Sequence, residues 1–117
     1  MPYVDGFIVP VPKAQLEAYR ALAQKAGTIW REHGALEFRE CMGDDVPPGQ
    51  LTSFPQAVQL KDDEVVFFSW IVYDSREARD RINKMVMEDP RMADMMSSMP
   101  FDGKRMIMGG FTPFVSL

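Results

Sequence analysis

Glu37, Arg39 and Cys41 stand at every second position of the segment ALEFRECM. In a strand all three point to one side, because successive side chains alternate between faces. An arginine so placed could hold an anionic or enolate oxygen while the glutamate moves a proton. Cys41 could act as a nucleophile, given a partner that stabilises its thiolate. The structural reading, favoured for all three, is a seam of ion pairs with the cysteine half-buried by placement alone. His33 is the only histidine, and the imidazole group titrates near neutrality, as a general base should. It falls in the last turn of a predicted helix, where it complements the helix dipole, and that role is the favoured one. Asp5 shares a strand face with Tyr3, Phe7 and Val9. A carboxyl among them is a candidate acid or base, although Lys104 or Arg105 on a neighbouring last strand could simply pair with it.

Met92, Met95, Met96 and Met99 share one helical face by their spacing, with Met85 and Met87 nearby. Thioethers bind soft copper(I), but pliable packing of a lid is much commoner. The lid reading makes Met95 and Met96 walls of a ligand pocket, together with Trp30, Trp70 and Cys41. Asp44-Asp45 and Asp62-Asp63-Glu64 fall in predicted turns and read as solvated loop charge. One histidine and one cysteine are too few for the usual zinc ligand sets. No phosphate-cradling glycine loop or G-x-S-x-G elbow is present, so no metal and no cofactor is expected.

The formal net charge of −4 over 117 residues argues against nucleic acid or an anionic membrane as partner. No apolar run approaches the ~20 residues that span a bilayer, and MPYVDGFIVPVP lacks a basic region followed by a long apolar segment. With a single cysteine, unable to staple its own chain, these features lead us to expect a cytoplasmic protein. The length suits one domain, residues 1–117.

The elements that would position the candidate groups follow from hydrophobic period. Tyr3 to Val11 reads as a strand whose pairing fades at Pro10 and Pro12. Lys13 to His33 carries apolar residues at alternating spacings of three and four and reads as a helix closed by Gly34. Ala35 to Met42 is a second strand. Within the excursion that follows, Gln56 to Leu60 is expected to add a short strand. EVVFFSWIVY (64–73) is a strand with no polar face. A helix capped by Asp74 with Glu77 comes next, then a short one capped by Asp89 with Pro90 at its first position, running to about Met99. Lys104 to Val115 is the last strand, with Gly109 and Gly110 marking a bulge or a close backbone approach. The order is a split βαβ plan, and right-handed crossovers put both long helices on one face of the sheet. Leaving the other face of the third strand in water forfeits roughly 1.5 to 3 kcal/mol per large apolar side chain. A second copy of the sheet is the expected cover, since two-fold dimers are the commonest assembly. Either Val66, Phe68, Trp70 and Val72 or their opposites face that copy.

YVDGFIVPVP, HGALEFREC, DVPPGQLT, EVVFFSWIVYDSREARD, DPRM and MPFDGKRMIMGGF together resemble the YbaA-like bacterial family of unknown function. That family is similar to the dimeric α/β-barrel superfamily, which includes antibiotic-biosynthesis and haem-degrading monooxygenases. The resemblance implies an α+β, ferredoxin-like βαββαβ protomer, an antiparallel sheet with helices on one face, paired with a twin as a dimeric α/β-barrel. It supplies no catalytic residues. Haem-degrading members place a ligand histidine on the helix after the third strand, and 74–89 contains none. The expectation is therefore a homodimer binding a small apolar or aromatic ligand, and acting as a cofactor-independent oxygenase or isomerase. The alternative is a non-catalytic binding or stress-related structural homodimer without a pocket.

Overall fold

The sheet is built around Tyr3–Pro12 (β1) and Glu64–Tyr73 (β3), which pair antiparallel from Tyr3↔Tyr73 to Pro12↔Glu64. The computed structural model describes all residues, Met1–Leu117. Glu37–Met42 (β2) pairs with the outer edge of β3, and Ile107–Phe111 (β4) with the outer edge of β1. The strand order is β2-β3-β1-β4 with every pair antiparallel, the ferredoxin-like arrangement expected from the sequence. Pairing of β1 with β4 stops at Ile8, before Pro10 removes a ladder donor. On the β3 side it continues to Pro12, so the expected fading occurs at one edge only.

A single 3-10 turn at Lys13–Gln15 leads into Leu16–Glu32 (α1), which buries Tyr19, Ala23, Ala26, Gly27 and Ile29. Its C-terminus is a Schellman motif. Gly34 takes φ +117°, its N–H donates to Arg31 O, and Ala35 N–H donates to Trp30 O. The expected strand at Gln56–Leu60 is a short helix, Phe54–Ala57 (α2). Ser53 caps it by accepting from Gln56 N–H at 3.1 Å, and Pro55 sits in its first turn. Serine followed by an early proline is a helix-start signal that outweighs the apolar residues after it.

Arg76–Glu88 (α3) is capped by Ser75, whose hydroxyl accepts from Ala78 N–H at 3.0 Å, rather than by Asp74 with Glu77. The cap lies one residue later than expected, leaving Asp74 as the single residue between β3 and Ser75. Pro90–Met96 (α4) begins at Asp89 as expected, with its carboxylate accepting from Arg91 N–H. It stops short of Met99, consistent with Pro100 disfavouring helical geometry just before it. β4 is likewise shorter than Lys104–Val115, because 102–105 forms a turn that sends Arg105 back to Glu64.

The odd-numbered residues of β1 and β3 lie under the helices: Asp5, Val9 and Val11, and Phe67, Ser69, Ile71 and Tyr73, are buried. The even set therefore faces the uncovered side. Val66 is buried even there, beside Gly43 and Val46, and Phe54 packs edge-on to Phe68 at 5.7 Å between ring centres. Phe68 nevertheless stays 46% exposed, and Ile107 and Phe111 are also exposed.

Gly27 marks a close approach of α1 to the sheet. A Cβ there would sit 2.7 Å from the Phe38 ring, and that ring already packs on Trp30. Alanine at an ordinary helix position stabilises by roughly 1 kcal/mol over glycine, whereas overpacking a core costs about 1–3 kcal/mol. Gly27→Ala is therefore expected to lower the urea midpoint, against helix propensity. A raised midpoint would show that the α1–β2 contact is looser than described.

Candidate functional site

Between the helices and the sheet lies a mainly apolar cavity of about 400 Å³, within the usual range for small-molecule sites. Two rows of paired residues form its floor. One runs Phe38, Ile71, Asp5 across β2, β3 and β1, and the other Glu40, Ser69, Phe7, Met108 across all four strands. Leu22, Ala26 and Trp30 of α1 and Asn83 of α3 form one wall, and Met92, Met95, Met96, Met99 and Phe101 another. The methionine face read from sequence is thus brought over the cavity.

Glu40 is the group that the sequence reading passed over. Its Oε1 accepts from Tyr19 Oη at 2.7 Å and from Ser69 Oγ at 2.6 Å, while Oε2 accepts no hydrogen bond from the protein. Desolvation raises the Glu40 carboxyl above its ordinary value of 4.5, against the lowering effect of Ser69 and Tyr19. Burial, followed by the Glu40 carboxylate beside it, holds the Tyr19 hydroxyl protonated far above the normal tyrosine range. A usable signal was present. The alternation that turns Phe38 and Met42 toward the helices turns Glu40 the same way, and Ser69 is the one polar residue of β3 between its terminal Glu64 and Tyr73.

Asp5 is 1% exposed at the other side of the floor. Its partner is Arg79 on α3, Nη1 to Oδ1 at 3.1 Å, and neither Lys104 nor Arg105. β4 begins only at Ile107, and Arg105 is committed to Glu64 and Asp102. Arg79 also stacks over the Tyr3 ring at 4.9 Å. Its Nε lies 2.9 Å from Asp80 Oδ1 without hydrogen-bonding geometry. Tyr73 Oη lies 3.0 Å from Asp5 Oδ2 and 3.2 Å from Asn83 Oδ1, and Trp30 Nε1 donates to the same Asn83 oxygen at 3.0 Å. Burial, then Asp5, pushes the Tyr73 hydroxyl up, so it remains a donor.

The other sequence candidates lie elsewhere. His33 caps α1, with Nε2 3.0 Å from Asp89 Oδ2, outside the cavity lining. Arg91, then His33, hold the Asp89 carboxyl well below the usual range. Glu37, Arg39 and Cys41 are together on the open face. Glu37 accepts from Trp70 Nε1 at 2.6 Å and faces Arg39 at 3.4 Å, and Cys41 is opposite Phe68 in the β2–β3 pairing. Of the expected pocket residues, Trp30, Met95 and Met96 line the cavity. Trp70 and Arg39 border it, but alternation turns their side chains to the open face.

Fold and site define a ferredoxin-like α+β domain with a ligand-sized cavity under its helices. The chain belongs to the family described as protein of unknown function DUF1428, which matches residues 2–103. It is 51% identical over 115 residues to the uncharacterised protein YbaA of Escherichia coli K12, covering 98% of each chain. Among solved structures it is similar to Rv0793 from Mycobacterium tuberculosis (TM-score 0.62, 16% identity, 99% and 98% covered). It is equally similar to a dimeric ferredoxin-like protein from an uncultured marine organism (TM-score 0.62, 9% identity, both chains fully covered). A further match is SnoaB, a cofactor-independent oxygenase from Streptomyces nogalater (TM-score 0.55, 16% identity, 99% and 94% covered). At these identities the structural likenesses establish the fold alone. No helix of the chain is long and apolar enough to cross a membrane.

The raised Glu40 carboxyl makes a pH prediction. The folded protein holds this proton more tightly than the unfolded chain, so the glutamate is least costly below pH 4.5. Its contribution to stability declines as pH rises from there through the folded value. Glu40→Gln keeps an acceptor for Tyr19 and Ser69 but cannot ionise. It should gain stability relative to the unsubstituted protein as pH rises from 4 to 8 in paired urea titrations. An unchanged difference across that range would mean that Glu40 is solvated as an ordinary surface carboxylate.

Proposed function

We propose that the protein is a homodimer in which each protomer binds a small aromatic or lipophilic molecule in the cavity under its helices. There Glu40 acts as proton acceptor, as in a cofactor-independent oxygenase or isomerase. The observation that carries this reading is the cavity of about 400 Å³ with Glu40 on its floor. Apolar walls select the ligand by shape. Tyr19 and Ser69 fix the carboxylate through one oxygen and leave the other to the ligand. A carboxyl raised by desolvation is a stronger base once ionised, which suits proton abstraction beside a carbonyl or phenol. Such a step leaves an electron-rich carbanion or enolate. It can be reprotonated at another carbon or can react with dioxygen directly. SnoaB, described as a cofactor-independent oxygenase, shares the fold, which is support by analogy.

The dimer rests on the uncovered sheet face, where Phe68, Ile107 and Phe111 are exposed, and on the dimeric ferredoxin-like protein of the same fold. In it, Glu37, Arg39 and Cys41 lie at the seam between the two sheets, the place where the sequence reading sought polar chemistry. A non-catalytic binding protein is the second reading. The four methionines over the cavity favour it, because they suit adaptable binding better than a rigid reacting geometry.

Native mass spectrometry of the purified protein should find a retained apolar molecule. Leu22→Trp, which fills the cavity from α1, should lose it. Glu40→Gln should keep it and abolish its conversion, whereas a purely binding role leaves the molecule unconverted by either form. Full retention by Leu22→Trp would refute the site. Light scattering at micromolar concentration should give a dimer that Phe68→Arg converts to a folded monomer. A monomeric unsubstituted protein would refute the assembly.

A further inference from the structure

The inner cavity holds a second polar atom without a partner, on the side away from Glu40. Asn83 of α3 is partly buried in its wall. Trp30 Nε1 donates to its Oδ1 at 3.0 Å, and Tyr73 Oη lies 3.2 Å from the same oxygen. An indole nitrogen can only donate, so the atom facing it is the carbonyl oxygen and the amide cannot be turned end for end. Nδ2, on the other side of the amide, donates to no group of the protein and is not enclosed by it. The remaining polar groups of the lining are committed. Asp5 has Arg79 on one oxygen and Tyr73 beside the other, and Ser69 and Tyr19 donate to Glu40 Oε1. Two held but unpartnered atoms are left in an otherwise apolar space of about 400 Å³, the acceptor Glu40 Oε2 and the donor Asn83 Nδ2. They belong to opposite sides of the floor. Glu40 pairs with Ser69 from β2, whereas Asn83 is tied through Tyr73 to Asp5, which pairs with Ile71 from β1. Strand and residue spacing put the Glu40 and Asp5 Cα atoms roughly 12 Å apart.

Resting on the reading of the inner cavity as the ligand site, we propose that Asn83 is its second polar anchor and that the ligand is a conjugated hydroxy-ketone. Its aromatic ring system carries a hydroxyl at the Glu40 end and a carbonyl oxygen, across the rings, at the Asn83 end. The hydroxyl donates to Oε2 and the carbonyl accepts from Nδ2, so each end satisfies an atom that the protein leaves open without breaking an existing bond. The rings between them meet the methionine and aromatic walls. The accepting end is a neutral oxygen rather than a carboxylate, because Arg79, the cation on that side, already pairs with Asp5 and Asp80. The arrangement also serves the proton step. When the ligand O–H bond breaks and its proton joins Glu40 Oε2, the electron pair left on that oxygen spreads through the rings to the carbonyl oxygen. The Asn83 N–H groups then meet the negative charge where it develops.

Three probes test this by titration of the full-length protein: 6-acetyl-2-naphthol, its carbonyl-free counterpart 6-ethyl-2-naphthol, and 2-acetyl-1-naphthol, whose two oxygen-bearing groups sit on neighbouring carbons. A carbonyl gives up its hydration on entering an apolar site, so 6-acetyl-2-naphthol should bind at least as tightly as the ethyl compound only where a donor awaits it. Asn83→Asp keeps an oxygen for Trp30 and Tyr73 but loses the N–H groups. It should weaken 6-acetyl-2-naphthol about tenfold, the loss of one or two hydrogen bonds, and leave the other two probes nearly unchanged. Asn83→Ser, which shortens the side chain, should give the same contrast and serves if the added carboxylate prevents folding. Weaker binding of 6-acetyl-2-naphthol than of the ethyl compound by the unsubstituted protein, or equal losses for both in the Asn83 variants, would overturn the second anchor and leave the inner site standing. A loss for 2-acetyl-1-naphthol as large as for its isomer would overturn the placement of hydroxyl and carbonyl at opposite ends. Failure of every probe to bind, or binding indifferent to Leu22→Trp, would overturn the inner site and this inference together.

Discussion

The register of β3 between β1 and β2 is the constraint on which the rest of the molecule depends. Pairing Ser69 with both Glu40 and Phe7, and Ile71 with both Phe38 and Asp5, decides which side chains meet the helices. A slip of one residue would exchange the two faces. It would bring Phe68 and Trp70 under α1 and expose Ile71 and Tyr73. Because β3 is apolar on both sides, its own hydrophobicity discriminates weakly between those arrangements. The polar residues do so more strongly. Asp5 needs Arg79 and Tyr73, and Glu40 needs Tyr19 and Ser69, and each set is satisfied in one register only.

Polar groups under the helices thus do two things at once. Their hydrogen bonds specify the pairing, since a buried carboxylate without donors is costly. Their size and solvation also keep α1 and α3 from closing fully on the sheet. Leucines at positions 5, 40 and 69 would pack a continuous core there. With carboxylates and a hydroxyl instead, the apolar residues separate into two clusters, one around Ile71, Tyr73, Ile82 and Val86 and the other around Val9, Val11, Tyr19 and Phe67. The cavity borders both. Glu40 sits where this compromise is least complete, with one oxygen satisfied and one left over.

The fold was legible from sequence because it rests on period. The β-branched and aromatic content of 3–11, the alternation in 35–42, the doubly apolar run 64–73 and the three-and-four spacing of α1 mark the elements, and their order leaves few topologies. Element ends were less legible because single hydrogen bonds decide them. Ser75 rather than Asp74 caps α3, and Ser53 with Pro55 makes a helix where Val58 and Leu60 suggested a strand. The methionine face was readable because it is a helical repeat. Glu40 was missed for the opposite reason. An ionisable residue on an apolar strand face has no local signature beyond its parity, and its partners lie 21 and 29 residues away in sequence. The partner of Asp5 was misjudged for a related cause: neighbouring strands suggested β4, but the cation comes from the helix above, 74 residues on.

The methionine segment shows how a cavity can be roofed without being rigidly filled. One end is fixed where Asp89 meets His33 and Arg91, and Arg91 reaches Glu32 of α1. The other end is fixed where Arg105 joins Asp102 to the buried Glu64 and also donates to the carbonyls of Val58 and Gln59. Between these clasps, Met92 is buried and Met95 packs on the core beside it, while Met96 and Met99 stay exposed at the rim of the cavity. Leucine or isoleucine in their place would lock the roof into one shape, because branched side chains have fewer ways to fill a given volume. An unbranched thioether with three rotatable bonds can change the shape of its tip while the backbone stays pinned. The segment therefore has fixed ends and a yielding middle, and the yielding part is the part that faces the cavity.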